Sequence, residues 1–118
     1  MTRINVGIPP AELSREHLLA EHREIKRIPN AVSRGRFNLN GQPKEFTLGP
    51  GHVKFFYNKL LYLLNRYKEI YATCKEKKYN VQDYSSAWDN VPEHLMGDYV
   101  PTERDIKLIK ERILQNSK

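Results

Sequence analysis

The stretch "VKFFYNKLLYLLNRYKEIYATC", residues 53–74, decides the fold of this chain. Its apolar residues return at alternating spacings of three and four, which is the period of an amphipathic α-helix. The inward stripe comprises Val53, Phe56, Leu60, Leu63, Tyr67, Ile70 and Cys74, widened by Leu61 and Leu64. The opposite face carries the cations Lys54, Lys59, Arg66, Lys68 and Lys75, which we place in solvent. We therefore predict one long helix whose apolar stripe forms the centre of a core.

Two further helices are predicted on either side of this one. The first runs over residues 11–28, after a proline pair that suits a first helical turn, and Pro29 kinks or ends it. The third begins near Thr102, with Asp105 in the position of an acidic capping box. Its inward residues are Ile106, Ile109 and Ile113, flanked by Leu108 and Leu114.

The connections between the helices are predicted to be long loops. "RFNLNGQPKEFTL", residues 36–48, alternates like a hairpin around Asn40–Gly41, but Pro43 interrupts the return strand. The segment 79–99 is also a loop, anchored by the apolar residues Trp88, Leu95, Met96 and Tyr99. The prediction is an all-α fold: a compact single domain over residues 1–118, with three main helices and long loops.

The charge and the cysteine content favour some classes of partner and exclude some kinds of site. Among 118 residues, 20 are Lys or Arg and 14 are Asp or Glu, so the net charge of +6 favours an anionic partner, nucleic acid before a membrane surface. The single cysteine excludes a disulfide framework and a thiolate metal site. No apolar run is long enough to cross a membrane, and no targeting segment is visible at the start. We expect a soluble cytoplasmic protein without a membrane partner.

The first helix contains "HLLAEHREIKR", residues 17–27, which carries the strongest chemical pattern. His17, Glu21 and Glu24 share one helical face, and Arg23 and Arg27 form an i, i+4 pair of guanidinium forks suited to phosphates. Three interpretations stay open from this pattern: a solvated helix with local ion pairs, a metal site, or a catalytic carboxylate in a basic cleft. The metal site is disfavoured because no HExxH motif is present.

Two residues at the start of the second helix are further candidates for DNA binding. His52 either helps an anion site formed by helix N–H groups or makes only a local hydrogen bond. Lys54 either follows a DNA backbone or belongs to a solvated face.

Four segments in order resemble one known family. "MTRIN" (1–5), "HLLAEHREIKR" (17–27), "LGPGHVKFFYNKL" (48–60) and "GDYVP" (97–101) are similar to the phage pyrimidine-dimer DNA glycosylases, the endonuclease V repair family. The resemblance implies a compact three-helix fold without metal or organic cofactor. It also implies an enzyme that removes a damaged pyrimidine from double-stranded DNA and then nicks the strand by β-elimination. We expect such a protein to act as a monomer.

The same resemblance assigns roles to individual residues. It implies that the nucleophile is the α-amine of Thr2, exposed when Met1 is removed, and that Glu24 is the essential carboxylate. It implies that Arg3, Arg23 and Arg27 hold phosphates around the lesion, and His17 matches a histidine of the family helix.

Elementary chemistry agrees with an α-amine as the nucleophile. An α-amino group has an ordinary pKa of about 7.7–8.0, so about 10–20% of it is free base at pH 7, far more than of a lysine. It can therefore attack the anomeric carbon of a sugar without the burial that a lysine needs. A nearby carboxylate can orient the amine and carry protons.

Some features depart from the family prototype. Lys26 stands where the prototype has a proline, and the final segment "ERILQNSK" has no aromatic residue, whereas an aromatic and basic tail helps the prototype recognise the dimer. A glycosylase for another modified base therefore stays an alternative. A non-catalytic basic DNA-binding protein of the same fold is a second alternative, and a metalloenzyme a third.

Overall fold

A computed structural model describes residues 2–116 of the chain. Over these residues the chain forms α-helices and short 3-10 turns, and none of them lies in a β-strand, which confirms the all-α prediction. The helices are α1 (Arg15–Glu24), α2 (Arg27–Ser33), α3 (His52–Phe55), α4 (Leu60–Glu76) and α5 (Glu103–Asn116). The 3-10 turns are Pro10–Glu12, Ser85–Trp88 and Glu93–Leu95.

The first predicted helix is divided into a 3-10 turn, α1 and α2. Ser14 caps α1, because its Oγ accepts a hydrogen bond from the His17 N–H at 3.2 Å. The break after Glu24 follows from Pro29, which has no N–H to donate and whose ring crowds the carbonyl four residues earlier, that of Ile25. The predicted bounds 11–28 were therefore wrong at both ends, and the effect of the proline falls one turn before the proline itself.

The long second helix is interrupted over residues 56–59. The N–H groups of Leu61 and Tyr62 donate to the carbonyl of Gly97, at 3.1 and 3.2 Å, instead of to the preceding turn. Gly97 can approach so closely only because it has no side chain: a Cβ there would lie 2.4 Å from the Asn58 carbonyl oxygen. The loop before α5 thus packs against the chain between α3 and α4, where the two helices are separated.

The apolar stripe of α4 forms the centre of the core, as predicted. Trp88, from the second long loop, packs at the same core and donates its Nε1–H to the Leu60 carbonyl at 3.1 Å. The fully buried members of this stripe are Leu60, Leu63, Tyr67, Ile70 and Cys74, and Phe56 in the interruption before α4 is buried with them.

Arg66 corrects the predicted solvent face of this helix. Its side chain is buried, and its Nε and Nη2 donate to the Glu21 carboxylate of α1 at 2.5 and 3.0 Å. Its Nη1 donates to the Ile8 carbonyl at 2.8 Å. Arg66 is buried because it follows Leu63 by three residues and precedes Ile70 by four, so it borders the stripe where α1 crosses α4.

The start of α5 forms the predicted capping box. Thr102 Oγ1 accepts from the Asp105 N–H at 3.2 Å, and Asp105 Oδ2 accepts from the Thr102 N–H at 3.1 Å. Ile109 is fully buried, Ile106 and Ile113 are half-buried, and Leu114 is exposed. The helix therefore packs on the core along a narrow stripe.

The elements form one compact globule. The radius of gyration is 13.8 Å, close to the value of about 13–14 Å expected for a single domain of this length. Within residues 2–116, no helix combines the length and the apolar character that crossing a membrane requires.

Candidate active site

The segment after Thr2 is embedded in the core. Ile4 and Val6 are fully buried and Ile8 nearly so, and Asn5 between them is also buried. A chain end held in this way has little freedom to fray, in contrast to most termini. Residues 2–8, called the N-terminal segment below, are therefore anchored in the core, and this anchoring limits where residue 2 can lie.

Two helices hold consecutive backbone N–H groups of this segment. The Arg3 N–H donates to Glu24 Oε1 at 3.0 Å, at the end of α1. The Ile4 N–H donates to His52 Nε2 at 3.1 Å, at the start of α3. The structure thus brings Thr2, Arg3, Glu24 and His52 together from three separate parts of the chain.

His52 is oriented by a second hydrogen bond. Because Nε2 accepts from Ile4, the ring proton is on Nδ1, which donates to the Thr47 carbonyl at 2.9 Å. Burial lowers the pKa of His52 to about 4, so the ring is neutral at pH 7. Both ring nitrogens already have protein partners, and this geometry favours a role in positioning over direct contact with a phosphate.

Glu24 is the partly accessible carboxylate of this cluster. Its side chain is 14% exposed, and Oε2 lies 3.9 Å from the Nη2 of Arg23, whose own side chain is 60% exposed. One carboxylate oxygen is fixed by the backbone of Arg3, and the other lies near the exposed guanidinium of Arg23. Such an arrangement is suited to holding a carboxylate still while it exchanges a proton.

Arg112 belongs to the site, although the sequence did not point to it. It lines a pocket of about 380 Å³ together with Thr2, His52 and residues of the Gly49–Val53 turn. Burial, with a contribution from the nearby Arg3, lowers the pKa of the Arg112 guanidinium. Its position three residues after the buried Ile109 is the signal that it faces the core.

A buried polar network connects Arg112 to the ion pair beneath the site. Arg112 Nη2 donates to Asn5 Oδ1 at 3.1 Å, and Asn5 Nδ2 donates to Glu21 Oε1 at 2.8 Å. Glu21 in turn accepts from Arg66. Burial alone would lower the pKa of the Arg66 guanidinium, but the Glu21 carboxylate outweighs it and raises that pKa. Each side chain of this network therefore has a hydrogen-bond partner within the protein.

The remaining predicted residues lie around this centre. Arg23 and Arg27 are both exposed, at the end of α1 and the start of α2. Lys54 Nζ donates to the Asn40 carbonyl at 2.6 Å and so ties the first long loop to α3. His17 pairs with Ser14 Oγ at 2.8 Å and lines a groove near α5, about 10 Å along the α1 axis from Glu24.

A metal-binding cluster was the less favoured interpretation of the first helix. Within residues 2–116, no group of three or more His, Cys, Asp or Glu side chains is placed to hold a metal ion. Glu21 is engaged with Arg66, and Glu24 with the Arg3 N–H.

Comparison with known protein families agrees with the resemblance seen in the sequence. A family model described as pyrimidine dimer DNA glycosylase matches residues 1–85, which include the N-terminal segment, α1, α2, α3 and α4. Thr2, Arg3, Glu24 and His52 fall within the match, and Arg112 on α5 lies beyond it. The match covers well over half of the chain, and the chain therefore belongs to the pyrimidine dimer DNA glycosylase family of DNA repair enzymes.

Proposed function

We propose that this protein is a DNA glycosylase with AP-lyase activity, whose nucleophile is the α-amine of Thr2 and whose proton carrier is Glu24. The observation that carries the proposal is the hydrogen bond from the Arg3 N–H to Glu24 Oε1, which holds the carboxylate one residue from the proposed amine. Met1, whose removal exposes the amine, lies outside the described residues.

The proposed reaction begins at the anomeric carbon of the damaged nucleotide. The free amine attacks C1′, the bond from C1′ to the base breaks, and the departing base takes up a proton. The attached nitrogen then loses a proton, its electron pair breaks the C1′–O4′ bond while O4′ takes up a proton, and a protonated imine joins Thr2 to the opened sugar. Glu24 stabilises the cationic sugar and transfers protons during these steps.

Strand cleavage follows from the imine. The imine acidifies the C2′ proton, a base removes it, and the electron pair expels the 3′ phosphate as the C3′–O bond breaks. Hydrolysis of the imine then returns the amine. These steps balance with proton transfers and one molecule of water for the hydrolysis, and they need no oxidant or reductant.

The surface around the site supports the binding of damaged double-stranded DNA. We propose that Arg3, Arg23 and Arg27 contact phosphates, and that Arg112 completes the positive side of the pocket. A lesion that weakens base stacking lowers the energy needed to turn a nucleotide out of the helix. We propose pyrimidine dimers or related lesions as the substrate and a monomer as the active form.

Borohydride trapping on a duplex with one abasic site tests the mechanism. The intact mass of the protein should first show that Met1 is absent. We expect reduction to give a covalent adduct whose peptide map places the DNA on Thr2. If protein shown to begin at Thr2 forms no adduct, the proposed nucleophile is wrong, and a binding protein without catalysis becomes the better interpretation.

The Glu24→Gln variant tests the carboxylate. It should bind a duplex carrying a pyrimidine dimer with little change in affinity, but excise the base roughly 10²–10⁴-fold more slowly, the usual loss for a proton-transfer group. Glu16→Gln is the matched control, because it removes the same charge from an exposed position of α1. Equal excision by the wild type and Glu24→Gln would contradict the role of Glu24.

A further inference from the structure

We infer that His52 is a positioning residue for the nucleophile: by accepting from the Ile4 N–H, it sets the direction in which the N-terminal segment presents residue 2. This inference rests on the proposed function, because it concerns how the Thr2 amine reaches the sugar. Its structural basis is the pair of hydrogen bonds from consecutive backbone N–H groups, one to Glu24 and one to His52.

The two hydrogen bonds come from different elements. One partner alone would leave the segment able to rotate about the single bond that holds it. Glu24 comes from the end of α1 and His52 from the start of α3, so together they fix two consecutive residues of the segment. The nitrogen of Thr2 lies two residues before that of Ile4, about 7 Å of extended chain, so a small rotation at Ile4 displaces it.

His52 can hold this position because its own ring is immobilised. The Nδ1–H donates to the Thr47 carbonyl, which leaves Nε2 as a fixed acceptor. The rings of Phe46 and Phe56 meet the imidazole at steep angles, with centroids 5.4 Å away in both cases. The imidazole is therefore held in one orientation, and the direction of its Nε2 lone pair fixes the direction of the Ile4 N–H.

The expected consequence is a loss of reaction rate with retention of DNA affinity. The proposed phosphate contacts of Arg23 and Arg27 lie on α1 and α2, outside the N-terminal segment that His52 holds. A group displaced by about 1 Å from its productive geometry can lose on the order of 10²-fold in rate. A residue with only a structural role would change stability and leave the ratio of rate to affinity unaltered.

The test compares three variants by borohydride trapping at saturating abasic duplex. Affinity is measured separately with a duplex that carries a tetrahydrofuran abasic analogue, which cannot form an imine. His52→Phe keeps the aromatic packing and removes the acceptor, and it should trap roughly 10–100-fold more slowly with affinity within about twofold. His52→Gln retains an acceptor for the Ile4 N–H and should recover most of the rate. Ile70→Val, which loosens the buried core within α4 and not the packing around the His52 ring, should trap like the wild type.

The outcomes separate this inference from the proposed function. If the wild type forms no adduct, the proposed function fails, and the positioning role fails with it. If the wild type traps but His52→Phe is equally fast, or Ile70→Val is as slow as His52→Phe, the positioning role alone is overturned. A measurement on the wild-type protein adds an independent check, because the Ile4 amide should be protected from hydrogen exchange and the ring ¹⁵N shifts should show the Nδ1–H tautomer. Unprotected exchange at Ile4 would overturn the inference even if His52→Phe did not fold.

Discussion

Arg66 and Arg23 carry the same charge, but they contribute to the fold in different ways. Arg66 is buried against Glu21, whereas Arg23 is 60% exposed and its nearest carboxylate oxygen lies 3.9 Å away. Removal of one partner from a buried pair leaves the other charge unpaired in a medium of low dielectric constant. Exposed pairs gain little, since water already solvates both groups.

We therefore predict that Arg66→Met lowers the free energy of unfolding by about 3–5 kcal/mol. Chemical denaturation at pH 7 measures the change. Arg23→Ala is the control and should alter stability by less than about 1 kcal/mol. A similar, small loss for both variants would show that Glu21 finds another partner, or water, when Arg66 is absent.

The residues of the site differ in how far the sequence could predict them. The resemblance to a known family was sufficient to indicate Thr2, Arg3 and Glu24, because they lie in the quoted motifs. Asn5 and Arg112 were missed because their contact joins positions separated by 107 residues, and no local pattern records such a contact. His52 was noted, but its partner is a backbone N–H, which every residue except proline offers.

Apolar periodicity predicted the buried stripe of α4 correctly and the start of the helix incorrectly. The spacing of Leu60, Leu63 and Tyr67 reports burial on one side, and that burial is observed. The break before Leu60 has its cause in the Gly97 carbonyl, which comes from a distant loop. Local propensity cannot contain that information, because the competing hydrogen bond exists only in the folded molecule.

The end of α4 contains a residue whose backbone conformation does not suit it. Lys78 has φ of 62°, in the left-handed region. It occupies the residue after the cap of a Schellman motif, in which Tyr79 N–H donates to the Cys74 carbonyl at 2.9 Å and Lys78 N–H to Lys75 at 3.0 Å. Glycine is the residue that usually fills this position, since it has no Cβ to strain.

Lys78→Gly should therefore raise the free energy of unfolding by about 0.5–1 kcal/mol, measured as a shift in the thermal or urea midpoint. Lys75→Gly is the matched control: it replaces an exposed lysine inside the same helical turn and should lower stability by about 1 kcal/mol. A loss of stability in both variants would mean that the lysine side chain contributes more than its backbone strain costs.

At the scale of the whole molecule, the neutral buried His52 makes stability depend on pH. Its folded pKa is about 4, against an ordinary value of 6.5. Between these pH values His52 binds a proton in the unfolded chain but not in the folded protein. The contribution of the neutral ring to the free energy of unfolding is therefore fully present above pH 6.5 and is lost as the pH decreases toward 4. Burial lowers the pKa of His22 as well, which adds a contribution of the same sign.

We expect the free energy of unfolding to decrease by up to about 3 kcal/mol from His52 alone between pH 6.5 and pH 4. Denaturation curves across this range test the prediction. His52→Gln should show a smaller slope with pH, because its side chain does not titrate. Parallel slopes for the wild type and the variant would show that another group dominates this range.

The positive net charge predicts how the whole molecule responds to salt. Each phosphate neutralised by an arginine contributes about −0.9 to the slope of log affinity against log salt concentration. Binding of lesion-containing duplex should therefore weaken steeply with salt, and Arg27→Ala should reduce the slope by about one phosphate. Glu16→Gln serves as a control for altered net charge away from the site. A salt-independent affinity would exclude phosphate contacts as the basis of binding.

The hydrogen bonds around the N-terminal segment also set an order of events during synthesis of the protein. Arg3 needs Glu24, Ile4 needs His52 and Asn5 needs Arg112, so the partners are 21, 48 and 107 residues along the chain. Contacts of long sequence separation form late, because the entropy of closing the loop opposes them. On a ribosome, residues 3–5 are therefore held one after another, and Asn5 gains its partner only when residue 112 has been made. Until then the pocket around Thr2 lacks Arg112. A chain truncated within α5 before residue 112 would therefore carry the proposed nucleophile in an incomplete site.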